Sequence, residues 1–454
     1  MREEDIIRLE EFILEKISES RLPSISIALV ERGKVSYARG FGFRDLEAGL
    51  PATPSTIYGI GSITKSFTAL AVVQLAEKGL LSLNDPVEKY VPVRLRPSGK
   101  SVTLEHLLTH SSGIPALGYA EAFITGLIEG GEAWMPLATP EDVVSFMSRA
   151  EEWAVAEPGE RFFYLNEGYV LLGIVISKVS GTKYEEYVKR EILEPLGMKR
   201  TFFERELVEA DPDKATPYVM DDGMPRPSRF PYGITSDGGL LSNALDMAKY
   251  LSLYIGRGEL DGVRLASREA IEDMERPRVA VPWQVFGGEG YGLGWVVVPD
   301  FYGRRLVHHG GSVLVYTAFA GYVPEEEVGV AVLANASGYS LSKIGMYALA
   351  LAMGEDPDEL PFIKLENLMR RIEGLYEAYR GTIKVRIGVE KGVLYLEFVS
   401  RKLARKIPLF LEEFEGEVAR FYTISDGVKL YAEFHLKPRR VELLYERYKF
   451  VKSR

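Results

Sequence analysis

The chain contains a serine three residues before a lysine, in Ile60-Gly61-Ser62-Ile63-Thr64-Lys65, where an apolar helix is predicted to begin. Residues i and i+3 share one face of a helix, so the Ser62 hydroxyl and the Lys65 ammonium can come within hydrogen-bond distance. The apolar positions that follow, up to Gly79 as a predicted C-terminal cap, indicate a buried helix. Burial disfavours a charged ammonium, and a neutral amine can accept the serine proton. The spacing therefore predicts an activated serine nucleophile.

The Ser-x-x-Lys pattern alone is weak evidence, because Ser180-Gly-Thr-Lys183 and Ser340-Leu-Ser-Lys343 also match it. Ser180 and Lys183 flank a glycine at the end of an apolar stretch, which is typical of a helix cap and turn. Tyr164-Leu-Asn166 is the only Tyr-x-Asn in the chain and precedes another apolar helix. On its own, however, such a tripeptide is more often a packed aromatic residue beside a helix cap.

Composition bounds the class of protein. Hydrophobic residues at 46% and charged residues at 26% are typical of a globular protein with a substantial core. The net charge of -10 argues against a nucleic-acid partner, because phosphate binding needs a basic surface. The chain has no cysteine, which excludes disulfides and thiolate metal sites. No uncharged apolar run reaches the length of about 18 residues that spans a bilayer, and the acidic N-terminus predicts a cytoplasmic location.

The order of predicted elements indicates two domains and a mixed α/β (α+β) class. Strands at 24–30 and 34–39 form a predicted hairpin, and four strands between 295 and 334 complete an antiparallel sheet with it. Helices between residues 62 and 280 are expected to pack on and beside this sheet, with a long loop at 210–237. After a linker near 354–361, short strands predict a small antiparallel β-barrel or sandwich. The expected domains are residues 1–360 and 361–454.

Three motifs in order, Ser62-x-x-Lys65, Tyr164-x-Asn166 and His308-His309-Gly310, make the chain resemble the serine β-lactamase and penicillin-binding-protein superfamily. Within it, the chain is most similar to the class-C-like branch and to the CubicO-group serine peptidases. Flanking stretches such as 107–115, 158–169 and Tyr291-Gly-Leu-Gly-Trp295 support the likeness, which covers about residues 20–340. The resemblance implies a β-lactamase/transpeptidase-like domain followed by a lipocalin-like barrel.

The resemblance also implies roles for the motif residues. Ser62 would attack a carbonyl and form an acyl-enzyme, with Lys65 and Tyr164 sharing the general-base work. Asn166 would hold Lys65 or the substrate amide. Gly310 belongs to the third motif, and the backbone N–H groups of Ser62 and Gly311 would form the oxyanion hole. The resemblance implies no cofactor and no metal.

The sequence leaves the roles of two pairs of histidines open. His308 and His309 are adjacent on a predicted strand and point to opposite faces, so at most one faces the cleft. The register of the family selects His308, although His309-Gly310-Gly311 also fits His-x-Gly. Penicillin-recognising relatives carry lysine here, so a histidine predicts weak recognition of a substrate carboxylate. His106 and His110 have the i,i+4 spacing of a metal pair, but a structural role for both is favoured.

These observations predict a serine hydrolase, and the resemblance implies a peptidase that acts on short peptides and tolerates D-residues. A homo-oligomer is expected. Two alternatives use the same Ser62 acylation. One is an esterase or a weak β-lactamase. The other, from a different class, is a penicillin-binding sensor that deacylates too slowly to turn over.

Overall fold

The computed structural model describes residues 1–128, 137, 139–233, 235–399 and 405–453. The chain divides into two compact units, Met1–Pro357 and Asp358–Arg454. In the described part of the chain, every helix is too short or too polar to cross a membrane.

The first unit is built on an antiparallel sheet, as the sequence predicts. Nine described strands form it in the order β10-β11-β12-β13-β14-β15-β1-β2-β3. Short pairs β4-β7, β5-β6 and β8-β9 lie outside it. The strands of this unit are β1 (Ser24–Glu31), β2 (Lys34–Asp45), β3 (Leu50–Pro51), β4 (Tyr58–Gly59), β5 (Tyr218–Asp221), β6 (Met224–Pro227), β7 (Leu241–Ser242), β8 (Glu259–Leu260), β9 (Val263–Arg264), β10 (Val279–Ala280), β11 (Gly290–Tyr291), β12 (Val296–Phe301), β13 (Arg304–Ser312), β14 (Thr317–Val323) and β15 (Val328–Ala334).

Helices cover this sheet and form a region beside it. They are α1 (Glu3–Ser20), α2 (Thr64–Glu77), α3 (Leu104–Leu108), α4 (Tyr119–Ile128), α5 (Pro140–Phe146), α6 (Asn166–Ser180), α7 (Tyr184–Val188), α8 (Arg205–Ala210), α9 (Ala244–Ile255), α10 (Arg268–Met274) and α11 (Leu341–Ala352). Helix α9 packs on β1 and β15, and α11 packs on β14 and β15. Because both faces are covered, β15 is buried along its whole length instead of alternating.

Helix α2 is the central helix of the unit. Every residue from Thr64 to Leu75 is buried, so the helix is enclosed on all sides instead of presenting one apolar stripe. It ends as predicted at Gly79, whose φ is +69°. The N–H of Gly79 donates to Ala76 O and that of Leu80 to Leu75 O, which is the Schellman arrangement.

The second unit is a closed antiparallel barrel, which confirms the predicted C-terminal barrel. Within the described residues, eight strands close it in the order β16 to β23. Alternate residues such as Val385 and Ile387 point inward, and α12 (Pro361–Ile372) buries Leu368 and Ile372 in the same core. The strands are β16 (Gly374–Glu377), β17 (Lys384–Glu390), β18 (Val393–Phe398), β19 (Lys406–Glu415), β20 (Val418–Ser425), β21 (Val428–Lys437), β22 (Arg440–Tyr445) and β23 (Tyr448–Lys452).

Two local expectations differ from the structure. The predicted long loop at 210–237 contains α8's last residue and the hairpin of β5 and β6. Asp222-Gly223 forms the turn of this hairpin, with positive φ at both residues. The Asp-Gly pair favours a hairpin turn, so two strands form although the composition of the segment does not favour strands. Ser62 does not lie in the α-helix itself but in a 3₁₀ turn, Gly61–Ile63, that leads directly into α2.

The contact between α11 and β14 leaves no room at Gly345. A Cβ there would lie 2.1 Å from the Phe319 ring, so Gly345→Ala should lose more by overpacking than the roughly 1 kcal/mol it gains in helix propensity. We expect the free energy of unfolding to fall by about 1–2 kcal/mol, measured by denaturant titration at fixed protein concentration. Phe319→Leu should relieve the cost of Gly345→Ala in a double-mutant cycle. A stabilised Gly345→Ala protein would contradict this packing.

Candidate active site

Two glycines allow the turn that carries Ser62 to approach strand β13. Gly61 has a φ of +51°, and a Cβ on it would lie 2.7 Å from the backbone N of Ser312. A Cβ on Gly311 would lie 1.9 Å from Ile60 O and 3.3 Å from Ser62 N. Neither position tolerates a larger residue without backbone movement. The close approach places Ser62 against the end of β13.

Lys65 is fully buried, with 0% of its surface exposed, and its Nζ contacts three oxygen atoms. Nζ lies 3.1 Å from Ser62 Oγ, 2.8 Å from Asn166 Oδ1 and 2.5 Å from the backbone O of Asp237. These partners come from the Ser62 turn, the first residue of α6 and the loop before β7. The structure therefore brings together Ser62, Lys65 and Asn166 from two distant sequence motifs.

Tyr164 lies on the loop before α6, as predicted, with its ring beside Lys65. Lys65 Nζ is 4.9 Å from the ring centroid, within cation–π distance. The ring stacks on His110 with centroids 4.1 Å apart. Its buried hydroxyl has no hydrogen-bond partner among the described residues, so it makes no direct bond to Ser62 here. Tyr164 is in position at the site, and its role as a base stays a prediction.

His110 is a supporting residue that the sequence analysis assigned only to structure. It has a left-handed backbone with φ of 55°, and its Nδ1 accepts the backbone N–H of Leu165 at 2.9 Å. Burial, with the nearby Lys65 and His309, holds the pKa of His110 well below its ordinary value. A neutral imidazole therefore fixes both the Tyr164 ring and the backbone after it. The repeated ring contacts among His110, Tyr164 and Tyr291 could not be inferred from spacing.

The structure corrects the choice between the two adjacent histidines. His309, not His308, lies on the face of β13 toward the site, and it shares that face with Gly311 because side chains alternate along a strand. His309 Nε2 accepts a hydrogen bond from Tyr291 Oη at 2.9 Å, and its Nδ1 donates to Gly310 O at 2.6 Å. The His308 ring lies 5.5 Å from that of Phe319, toward the α11 side. The family register had selected the wrong residue of the pair.

Both histidines are uncharged at neutral pH. Burial lowers the pKa of His309 to about 3, with the charge of Lys65 acting in the same direction. Desolvation lowers the pKa of His308 to about 4, against a weaker opposing effect of Glu289. Both ring nitrogens of His309 are already occupied by protein groups. The third motif therefore offers no cation to a substrate carboxylate.

A cavity of about 220 Å³ opens beside the nucleophile. Ser62, Asn166 and Ser312 line it, so the nucleophile and the end of β13 face the same space. Gly311 adjoins Ser62 N, which agrees with the two predicted oxyanion donors being neighbours. Gly310 instead accepts the His309 hydrogen bond through its carbonyl.

Three residues near the cavity were missed from the sequence. Asp237 is 3% exposed, and its Oδ2 accepts a hydrogen bond from Tyr119 Oη at 3.0 Å. The backbone N of Tyr119 donates to Glu167 Oε1 at 3.0 Å. Burial raises the pKa of Asp237 and of Glu167. Asp237 directly precedes Gly238-Gly239-Leu240, which opens a further stretch that resembles the superfamily, and this was the only signal available for it.

The competing patterns have local structural explanations. Ser180 Oγ pairs with Thr182 Oγ1, and Ser340 Oγ pairs with Ser342 Oγ at the start of α11. His106 Nδ1 accepts the backbone N–H of Thr103 as part of a helix cap. Among the described residues, no three His, Asp or Glu side chains are grouped as metal ligands would be.

Comparison with known proteins identifies the family of the chain. The family model described as Beta-lactamase matches residues 9–352. The chain belongs to the beta-lactamase family. A second model, described as the Pab87 octamerisation domain, matches residues 357–451. This family consists of serine hydrolases of the β-lactamase and penicillin-binding type. The match confirms the predicted superfamily. The narrower assignment to the CubicO group stays a prediction.

The matches between this beta-lactamase family member and individual relatives cover different shares of its length. The octameric penicillin-binding protein homologue from Pyrococcus abyssi is 55% identical, covers 99% of this chain and 100% of that chain, and superposes with a TM-score of 0.94. The putative penicillin-binding protein PbpX of Bacillus subtilis is 31% identical over 63% of this chain and 65% of its own. Protein flp of Staphylococcus aureus is 26% identical over 74% of this chain. The matched region spans 64% of the length of flp.

The buried neutral His309 predicts a pH dependence of stability. Above about pH 6.5 the histidine is neutral in both the folded and the unfolded chain. Below that pH, His309 takes up a proton in the unfolded chain but stays neutral in the folded chain down to about pH 3. The free energy of unfolding therefore falls as the pH drops. His309→Gln should therefore lose about 1 kcal/mol less than the wild type between pH 7 and 5.5. Denaturant unfolding at both pH values checks this, and equal losses in the two proteins would contradict it.

Proposed function

We propose that the chain is a peptidase of the Ser-Lys-Tyr type that is acylated at Ser62 and hydrolyses short peptides. The observation that carries this proposal is the contact of Lys65 Nζ with Ser62 Oγ at 3.1 Å, in a site where Lys65 is fully buried. Hydrolysis of D-residue peptides is part of the proposal and derives from the family resemblance.

The contacts of Lys65 support its role as the base. Asn166 Oδ1 and the backbone O of Asp237 can only accept hydrogen bonds, whereas the Ser62 hydroxyl can donate or accept. A neutral lysine amine has two N–H groups and one lone pair. In its ammonium form Nζ donates to all three oxygen atoms, Ser62 Oγ included. When one proton is lost, the two remaining N–H groups can donate to the two obligate acceptors, which directs the lone pair at Ser62 Oγ. The site is thus arranged to hold the amine in the orientation that removes the hydroxyl proton.

The reaction follows from these positions. Ser62 Oγ attacks the substrate carbonyl carbon while its proton passes to Lys65 Nζ, and the N–H groups of Ser62 and Gly311 stabilise the oxyanion. The C–N bond breaks as the leaving amine takes a proton through Lys65 and Tyr164, which leaves an ester on Ser62. Water then attacks the ester and passes a proton to the same base. The bond between the acyl carbon and Ser62 Oγ breaks, Oγ takes that proton back, and the acid product leaves.

Substrate choice follows from the charge of the third motif. His309 is neutral at working pH, so a terminal carboxylate gains no charge-assisted hydrogen bond there. This makes strong binding of penicillin-like or carboxyl-terminal substrates unfavourable relative to relatives with lysine. Esters and β-lactams would react through the same acylation, at lower rates. A cytoplasmic location remains part of the prediction.

We also propose that the chain forms a homo-oligomer through its barrel. The Pyrococcus abyssi homologue is octameric, and the octamerisation-domain model covers the second unit. On the outside of the barrel, Phe410 pairs with Tyr422 and Tyr422 with Tyr431 across strands β19, β20 and β21. Phe410 is 45% and Tyr431 is 46% exposed, which gives a row of aromatic side chains suited to an interface.

Removing the nucleophile tests the catalytic proposal. Ser62→Ala should abolish covalent labelling by a serine-directed phosphonate and almost all turnover of peptide p-nitroanilides, because Ser62 supplies the hydroxyl that contacts Lys65 among the described residues. Lys65→Ala should lose about 10²-fold or more in rate, as expected for a positioned base. Ser180→Ala serves as the matched control and should behave as wild type. Wild-type turnover in Ser62→Ala with loss in Ser180→Ala would show that the wrong serine was chosen.

Steady-state and burst kinetics separate the enzyme from the sensor. A peptidase should give many turnovers per Ser62, whereas a slowly deacylating sensor should give one acylation burst and then stop. A single burst with peptide and ester substrates alike would overturn the peptidase assignment while retaining Ser62 as the nucleophile.

Charge on the barrel face tests the assembly. The double variant Phe410→Glu and Tyr431→Glu should lower the molar mass measured by light scattering, since buried unpaired carboxylates oppose association. Tyr379→Glu, which changes an aromatic side chain 77% exposed elsewhere in the unit, should leave the mass unchanged. An unchanged mass in the double variant would place the interface on another surface.

A further inference from the structure

The turn between β13 and β14 contains an aliphatic residue in an unfavourable backbone conformation. Leu314 has a φ of 64°, in the left-handed region, where a bulky side chain is a steric outlier. In the described part of the chain, every other non-glycine residue with positive φ is polar, charged or aromatic. Glycine adopts this conformation without strain, so the turn itself does not call for a leucine.

Hydrogen bonds hold Leu314 in this conformation. The N–H of Val315 donates to Val313 O at 2.8 Å, which with the positive φ places Leu314 at the centre of a γ-turn in its rare, strained form. The N–H of Val313 donates to Tyr316 O at 3.0 Å, and Ser337 Oγ donates to Leu314 O at 2.7 Å. Val313, Val315 and Tyr316 are buried and anchor the turn. The surrounding structure therefore maintains the strain.

Leu314 lines the active-site cavity. It is 37% exposed, and the surface that an exposed leucine presents is mostly side-chain carbon. The other aliphatic lining residues are its neighbour Val313 and, on α4, Ala120 and Ile124, which are four residues apart and share one face of the helix. These four residues form an apolar wall in the same cavity that Ser62 lines.

We propose that Leu314 selects the substrate by packing against an aliphatic side chain on the residue whose carbonyl Ser62 attacks. This inference rests on the proposed acylation at Ser62 and adds the class of bond that the enzyme cleaves, namely the peptide bond that follows an aliphatic residue. The strained turn then serves to hold an apolar side chain beside the nucleophile.

The position and size of the cavity match one side chain. The side chain of the attacked residue is attached to the carbon next to the acyl carbonyl, so its pocket must adjoin the nucleophile. The volume of about 220 Å³ is below the range of about 300–1,000 Å³ that is usual for ligand pockets, so the cavity has room for a small group. An aliphatic side chain that enters it is removed from water against the apolar wall, which stabilises the complex.

The charge of the cavity disfavours acidic side chains. Glu121 lines the cavity and is exposed, so it repels a carboxylate on the substrate. The described lining residues include no lysine, arginine or histidine that could pair with such a group. A basic side chain would instead be attracted by Glu121, and this alternative predicts a preference for lysine over leucine.

The experiment measures kcat/KM for p-nitroanilides of alanine, leucine, glutamate and lysine that share one amino-terminal group. The full-length wild type should prefer leucine to the other three. Leu314→Gly should lower the ratio of leucine to alanine about tenfold, the lower end of the effect of one methylene in an apolar pocket. Leu314→Met keeps an apolar side chain of similar size and should stay within about threefold of the wild-type ratio. Leu46→Gly is the matched control, since Leu46 is 38% exposed and lies outside the cavity lining, and it should keep the wild-type ratio.

Stability separates the strained position from an ordinary one. Both glycine variants lose a leucine of nearly equal exposure, but Leu46 has no positive φ, whereas glycine relieves strain at position 314. Leu314→Gly should therefore lower the midpoint of denaturant unfolding less than Leu46→Gly does. An equal or larger loss in Leu314→Gly would mean that the leucine is present for stability, and would overturn the inference.

Three kinetic results would also overturn it. Equal losses of Leu314→Gly on the leucine and alanine substrates would show that Leu314 only supports the end of β13. A wild type that prefers alanine, glutamate or lysine would exclude the apolar selection, and this result needs no variant to fold. A changed molar mass of Leu314→Gly with an unchanged ratio of leucine to alanine would assign Leu314 to a contact between copies of the chain.

The proposed function is tested separately. If the inference fails in any of these ways, phosphonate labelling of Ser62 in the wild type would leave the proposed function standing. Absence of both labelling and turnover in the wild type would instead overturn the proposed function, and this inference with it.

Discussion

The burial of a single amine constrains the whole first unit. Lys65 Nζ lies in the interior, where an ammonium or amine without partners would be strongly unfavourable. It is satisfied only because oxygen atoms from three separate segments meet around it: Ser62, Asn166 and the backbone of Asp237. Helix α2, the start of α6 and the loop before β7 must therefore take fixed relative positions. The same contacts that stabilise this arrangement place the nucleophile, the amide and the cavity in one site.

The predictions that the structure supports depend on local patterns. The strand patterns at 24–30 and 34–39 indicated the β1–β2 hairpin, and Gly79 marked the end of α2, where it has a positive φ. The barrel was predictable because its strands alternate and are separated by turn residues. The proximity of Ser62 to Asn166 was predictable only from the order of motifs in a known superfamily, since no local rule relates residues so far apart.

The features that were predicted wrongly or missed are set by contacts between residues far apart in the sequence. The choice between His308 and His309 depends on which face of β13 meets the turn that carries Ser62, and a shift of one residue inverts every side chain. That face is set by the pairing of β13 with β12 and β14. The sequence of β13 alone does not determine this pairing. Asp237 contacts Lys65 through its backbone carbonyl, which every residue type has, so its side chain gave no sign of this contact in the sequence. The 3₁₀ turn at Ser62 follows from close contact with Gly311.

The closed barrel limits how copies of the chain can join. Within its described strands, each backbone edge is already paired with a neighbour, from β16 round to β23. A second copy therefore finds no strand edge there to extend, and sheet-to-sheet fusion of the kind that leads to fibres is disfavoured. Association through this unit has to use side chains on a finished surface. Such contacts can form and separate without unfolding either copy. Because they bind only the folded chain, association makes the stability of each subunit rise with protein concentration.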